Sequence, residues 1–356
     1  MEGLPCVLRI HGGPVASETI PGGQIQPLRS LRGILDTAYW CGLKHRRWDG
    51  PQAAELKRRL KKYRVEVVLA NFGPTGVALL PVCQELSIPL VVHFHGYDAH
   101  TKSVVEAHRS HYQRLGRECA GMVVVSHKMQ AALANLGMPV EKITLARYGV
   151  NPNLFEAKIE FPDRPVFFGI GRFVDKKAPY LTLLAFQKVH EKIPSARLIL
   201  AGDGVLFEAT RNLAKVQGLE TAVEFPGVLT PKQVAAYLQS ASAFVQHSIT
   251  PEFGSDAGDS EGTPVAMLEA MMCGLPVIGT RHAGIGEVVE HGVTGYVVEE
   301  RDVNDMAAAM LGIAASPMLA RQLGRAAREQ ALKNNTSEIY LNKLKNILAS
   351  AVRNTI

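Results

Sequence analysis

Short apolar runs alternate with stretches of helical period along nearly the whole chain. Apolar runs bounded by Gly, Pro or polar clusters read as buried strands, and the helical period between them reads as helices packed on a sheet. In the first part the pattern predicts strands at 6–10, 65–70, 90–93 and 121–125, with a weaker one at 143–146. The stretch 151–165 holds three prolines and no period, and reads as a linker. From Pro165 the rhythm restarts, with strands at 166–169, 197–201, 223–225, 244–247, 277–279 and 295–298, and helices at 180–192, 206–217, 231–239, 264–272, 303–314 and 318–333. Alternation of this kind predicts α/β architecture with parallel sheets and crossover helices. The restart predicts two doubly wound sheets facing each other across a cleft: an N-terminal unit over 1–152, abbreviated at its start, and a C-terminal unit over 153–336. A last helix at 337–353, inside a tail of 337–356, has no strand after it and is expected to pack back on the N-terminal unit. Open α/β sheets bind ligands at the carboxyl ends of their strands, so a cleft between two of them suits a ligand with two parts.

Composition narrows the class. The 356 residues are 47% hydrophobic and 20% charged, which excludes disordered, collagen-like and small disulfide-scaffold proteins. No apolar run approaches the ~18 residues of a spanning helix, and Met1-Glu2-Gly3 does not open a basic region followed by an apolar stretch. The five cysteines, Cys6, Cys41, Cys83, Cys119 and Cys273, are odd in number and form no C-x-x-C pair. A cytoplasmic protein is therefore expected, rather than a disulfide framework or a zinc knuckle.

Charge divides the chain. Through Pro152 there are 19 Lys and Arg against 11 Asp and Glu, whereas the remainder has 20 against 22. The densest stretch carries Lys57, Arg58, Arg59, Lys61, Lys62 and Arg64, with Leu56, Leu60 and Tyr63 at helical spacing, and predicts an amphipathic basic helix. It reads either as a solvated helix face or as a surface for anionic lipid or a phosphate-bearing substrate. Nucleic acid fits less well, because aromatic residues do not interleave the charges.

Candidate chemistry concentrates after residue 165. In Asp259-Ser260-Glu261-Gly262-Thr263-Pro264-Val265, followed by the helical run to Met272 and by Gly274 and Pro276, the grammar predicts a helix with Thr263 as N-cap and Pro264 in its first turn. A helix start offers unpaired N–H groups and a positive dipole end, which suit phosphate or sugar oxygens. Glu269 lies about 7–8 Å along the axis from the first helical residue, by the helical rise. Glu261 lies before the helix, so the two carboxylates are placed to grip different parts of one ligand. Alone, this E-x7-E spacing is common, and Glu261 complementing the dipole with Glu269 on the surface is the plainer alternative. Earlier, Gly169-Ile170-Gly171-Arg172 with Lys177 places two cations after a glycine-ended strand, fit for one anionic group. G-x-G-x-x-G fails because Val174 stands where its last glycine is needed, and a Walker A loop is absent. Ala201-Gly202-Asp203-Gly204 and Gly227 mark two further strand ends. Metal is not called for: Asp256/Asp259 and Asp302/Asp305 lack D-x-D spacing, and nothing sets ligand geometry for His100, His108 and His111.

As an ordered set these residues resemble the nucleotide-sugar-dependent glycosyltransferases of family 4, which have the GT-B fold. The matching pieces are Gly171-Arg172 with Lys177, 201–204, Glu261 and Glu269, the strand at 274–278, and the closing 291–298 with Gly292, Thr294 and Gly295. Upstream, His93-Phe94-His95-Gly96-Tyr97-Asp98 is similar to the family's strand-end histidine motif, most like exopolysaccharide and colanic-acid-type members. The likeness runs from roughly Val65 to Ala315. It implies a retaining transferase that moves a sugar from a UDP-, GDP- or ADP-linked donor to a saccharide or lipid-linked acceptor, in polysaccharide or glycolipid assembly, with no cofactor required. It implies further that Arg172 and Lys177 neutralise the donor diphosphate and that Glu269 accepts from the ribose hydroxyls. Glu261, with the amides of Gly262, Thr263 and Val265 around Pro264, would hold the transferred sugar, and the backbone of Val228 would lie near the base. His95 and Glu261 are the implied catalytic groups, with the leaving phosphate assisting proton removal on the front face. The first sixty residues depart from the pattern: Ser17-Glu18-Thr19 and Gly22-Gly23 are the candidates for the acceptor loop, with Asp98 also on the acceptor side. A GT-B phosphorylase, or a non-catalytic relative that binds nucleotide-sugar or a partner enzyme, stands as the alternative.

Overall fold

The computed structural model describes residues 51–157, 160–254 and 257–354, and the backbone of three short strands, β1 (Arg9–His11), β2 (Ser17–Thr19) and β3 (Ile25–Pro27). Those three form an antiparallel sheet of their own, in the order β1-β2-β3. This corrects two expectations: the first strand does not join a parallel sheet, and Ser17-Glu18-Thr19 is a strand rather than a loop. The links 12–16 and 20–24 have a hairpin's reach, while a parallel crossover needs about a dozen residues or more. Gly22, Gly23, Cys6 and Cys41 lie outside the described residues.

Two parallel sheets carry the rest. The first has β4 (Val68–Asn71), β5 (Leu90–His93), β6 (Gly121–Val124) and β7 (Ile143–Leu145) in sequential order. Helices Gly73–Glu85, Lys102–Glu118 and His127–Asn135 bury Leu80, Leu115, Met129 and Leu133 against one face, with Val92, Phe94, Met122 and Val124. Val67, Val91 and Val123 point to the other face, where the last helix, Ser337–Arg353, lays Leu348 and Ala351. Leu348 and Ala351 of that helix join Val67, Val91, Val123 and Ala146 in one buried cluster. The basic helix is Pro51–Lys62, and it buries Ala53, Leu56 and Leu60 beside Val65 and Val82.

The second sheet runs β10 (Val223–Glu224), β9 (Arg197–Ala201), β8 (Val166–Ile170), β11 (Ala243–Gln246), β12 (Val277–Thr280) and β13 (Gly295–Val298), all parallel. Numbered within the unit this is 3-2-1-4-5-6, the dinucleotide-fold order, with its switch point between β8 and β11. Both faces are covered, one by the helices Pro231–Ser240, Val265–Met272 and Pro317–Asn334 and the other by Pro179–Lys192, Phe207–Val216 and Val303–Ala315. The chain passes between the units twice, at 149–155 and 335–337, where Val150 and Thr336 pair as a bridge. A Cβ on Gly149 would stand 2.3 Å from the Thr336 carbonyl oxygen, so only glycine allows the two passes to touch.

Candidate active site

The site forms where the carboxyl ends of β5, β8, β11 and β12 face one another. After β5 the chain turns sharply at Gly96, φ +139°. Asp98 is the pin of that turn: buried, it accepts from the backbone N–H of Gly73 at 2.9 Å, His95 at 3.0 Å and Gly96 at 3.0 Å. Burial raises its carboxyl above the usual range even against those donors. The fixed loop aims His95 between Asn71, whose Oδ1 lies 2.9 Å from Nε2, and the Tyr148 hydroxyl, which meets Nδ1. Burial pushes His95 down to about 4, so it stands neutral near pH 7.

On the opposite wall, Gly202 (φ +123°) lets β9 end against the turn after β8; a Cβ there would sit 1.9 Å from the Gly171 carbonyl oxygen. The turn continues into a short 3₁₀ helix, Asp175–Lys177, which sends two lysines toward the loop before helix Val265–Met272. Lys176 pairs with Asp259 at 2.8 Å and Lys177 with Glu261 at 3.1 Å, and all four side chains are largely buried. Burial alone would raise the Glu261 carboxyl; Lys177 and then Lys176 outweigh it and hold it below the usual range. Arg172 is exposed and has no ion-pair partner among the described residues. Glu269 is half-buried on the helix, also without a described partner, and burial pushes it up to about 7.

Thr263 departs from its expected role. Helix Val265–Met272 begins after Pro264, which takes the capping position in extended conformation. The Thr263 hydroxyl instead donates across the cleft to the Val125 carbonyl, at 3.1 Å. Capping geometry was legible from the sequence, but the competing acceptor belongs to the other unit. The amides of Gly262, Thr263 and Val265 have no acceptor among the described residues and remain open to a ligand. Gly262 packs so closely that a Cβ would meet Val125 at 2.5 Å and the His95 carbonyl oxygen at 3.0 Å. The fold thus brings together His95, Glu261, Gly262, Thr263 and Lys177. It leaves Val228 at the rim, 77% exposed, and places Asp98 beneath the loop rather than on the cleft surface. Sequence reading missed Lys176, Asp259, Asn71, Tyr148, His282 and Glu300; of these only His282, two residues past a strand end, carried a signal of the kind that marked His95.

Two family models match the chain: Glycosyl transferases group 1 over residues 151–330 and Glycosyltransferase Family 4 over residues 18–154. WcaL of Escherichia coli K12, named for colanic acid biosynthesis as a glycosyltransferase, is 32% identical over 302 residues, covering 81% of this chain and 73% of WcaL. The chain belongs to the group 1 glycosyltransferases. Its exopolysaccharide-type character agrees with a second relative, the amylovoran biosynthesis glycosyltransferase AmsK of Erwinia amylovora, 32% identical over 70% of this chain and 62% of AmsK. Anabaena HepE, solved in complex with UDP, superposes with a TM-score of 0.72 at 18% identity, covering 85% of this chain and 82% of HepE. The fold of this glycosyltransferase is GT-B, and it is an enzyme of the transferase class.

Proposed function

We propose that this glycosyltransferase takes a nucleoside-diphosphate sugar across the β8–β11 switch point and transfers the sugar, with retention, to a saccharide or lipid-linked acceptor in exopolysaccharide or glycolipid assembly. The observation that carries the reading is Glu269, a half-buried carboxylate with no described partner, on the helix that follows Glu261 and its two lysines. Ribose hydroxyls supply the donors that this carboxylate lacks, and a diphosphate supplies the anion for Arg172 and Lys177. When a diphosphate draws on Lys177, Glu261 gives up its ion pair and gains sugar hydroxyls, supported by the open amides of Gly262, Thr263 and Val265. Charge developing on the leaving diphosphate is stabilised by cations already in place, which is the largest lever such a site has. His95 takes part as a neutral imidazole held by Asn71 and Tyr148. The curated relatives and solved structures name both GDP-mannose and UDP for other members, so the base is a matter for experiment. Calorimetric titration with UDP, GDP and ADP is expected to give preferential binding of one, weakened at least about tenfold in Glu269→Ala through loss of charged hydrogen bonds. Unchanged affinity in that variant would remove the ribose role.

The basic helix supports a peripheral seat on an anionic membrane. Lys57 is spoken for by Glu85, and Arg58 and Arg59 by Glu55, whereas Lys61, Lys62 and Arg64 are exposed and have no ion pair among the described residues. No single described helix is long and apolar enough to cross a membrane. A lipid-linked acceptor presented at that surface would reach the first unit directly.

A further inference from the structure

His282 and Glu300 take no part in the donor contacts assigned above, yet they stand directly behind Glu261. Their placement follows from sheet register. β12 and β13 pair in parallel with Thr280 opposite Val298, so two residues further on each chain His282 and Glu300 emerge side by side at the carboxyl end of the sheet. The His282 side chain is fully buried, with its Nδ1 2.7 Å from Glu300 Oε1. The other carboxylate oxygen accepts from the Thr250 N–H at 2.7 Å, and the Thr250 hydroxyl lies 3.1 Å from Oε1. On its far side His282 Nε2 accepts the backbone N–H of Glu261, at 3.1 Å.

These contacts fix one proton. A peptide N–H only donates, so Nε2 must present its lone pair; the remaining ring proton sits on Nδ1 and is donated to the Glu300 carboxylate. The geometry points to a positioning relay, Glu300–His282–Glu261, in which Glu300 sets the tautomer of His282 and His282 sets the peptide plane of Glu261, aiming its carboxylate at Lys177 and the donor sugar. His282 is a positioning residue, since it touches backbone and not substrate, and the inference rests on the donor-site reading. Burial lowers the imidazole below its ordinary range and outweighs the carboxylates of Glu300 and Glu261, which pull the other way, so the neutral form persists. The relay also explains why the Glu261 amide is closed to ligands while those of Gly262, Thr263 and Val265 are open.

The test has two arms on the full chain. In ¹⁵N-histidine-labelled protein, the resonance lost in His282→Gln is expected to be that of a neutral ring protonated at Nδ1; an Nε2-protonated or cationic ring overturns the relay whatever the enzyme's substrate. In the second arm, donor turnover and nucleoside-diphosphate affinity are measured together. His282→Phe, which fills the space without either nitrogen, is expected to lower turnover about 10- to 100-fold, the range for losing an outer partner that orients a functional group. The Kd for the diphosphate that binds best stays within about twofold, because Arg172 and Glu269 are untouched. His282→Gln, whose amide has both an acceptor and a donor, recovers most of the rate. Wild-type turnover in His282→Phe, or a glutamine variant no better than phenylalanine, overturns the proposal. If the phenylalanine variant does not fold, Glu300→Ala reads the relay from its outer end. The same resonance then shifts away from the pure Nδ1-protonated form and turnover falls with affinity kept; an unchanged resonance refutes the role of Glu300. Failure of wild-type protein to bind any of UDP, GDP or ADP would sink the donor reading, while the resonance arm still decides the relay by itself.

Discussion

Glu269 carries a cost that nothing described in the protein offsets: burial moves its carboxyl from the ordinary range up to about 7. The folded value is above the unfolded one, so as pH rises from about 4.5 to about 7 the unfolded chain releases this proton while the folded chain holds it. Stability is therefore lost across that window and the loss is complete above it. Glu269→Gln is expected to match the wild type near pH 4.5 and to exceed it at pH 8, by at most about 3 kcal/mol. Urea denaturation of both proteins at the two pH values checks this; equal stability at pH 8 would show that the carboxylate has a partner in solution. Under the proposed donor reading, ribose hydroxyls would stabilise the charged form, so the same strain would favour ligand. In His95 the same loss of solvent also favours the neutral form, and there it shifts the group the other way, down to about 4.

At the scale of elements, the helix Pro51–Lys62 divides its work between two faces. Leu56 and Leu60 anchor it, so substitutions among the exposed cations at its end leave the fold intact. Reversing Lys61, Lys62 and Arg64 to Glu is expected to cut sedimentation with phosphatidylserine vesicles about 100-fold or more, at roughly 1 kcal/mol per basic residue near an anionic surface. Wild-type binding should weaken with added salt as the charges are screened. Equal sedimentation of wild type with neutral vesicles would rule out the electrostatic seat. The loop before Val265–Met272 illustrates a different rule: a local capping preference yields when a residue's hydroxyl finds a partner across the cleft, as Thr263 does in Val125.

For the whole molecule, Glu287 joins the two units. It follows β12, yet its carboxylate accepts from the backbone N–H of His127 at 2.9 Å and Lys128 at 3.1 Å, and pairs with Arg147 at 2.9 Å. A charged acceptor at the start of helix His127–Asn135 gains from both the open N–H groups and the helix dipole. Glu287→Ala removes all three contacts and is expected to weaken the closed arrangement by about 1–3 kcal/mol. Small-angle scattering should then show a larger radius of gyration, and turnover should fall while nucleotide affinity holds. An unchanged radius and rate would mean that Thr263 and the linker crossings keep the units together without it.

The sequence by itself determined the second sheet nearly strand for strand, because most of its strands are short, mainly apolar runs set between helices of clear period. It also marked Arg172, Lys177, Glu261, Glu269 and His95, whose residue types and order along the chain carry the family resemblance. The chain's beginning resisted, since a hairpin sheet of three-residue strands has too few positions to show a period. Only the tertiary structure decided the pairings that span the cleft and the sheet register: Lys176 with Asp259, Thr263 with Val125, Glu287 with His127 and Lys128, and Glu300 with His282 behind Glu261. Each joins residues from separate elements. Local propensity sets strands and helices, whereas a buried charge or a backbone N–H takes whichever partner the packed chain brings within reach.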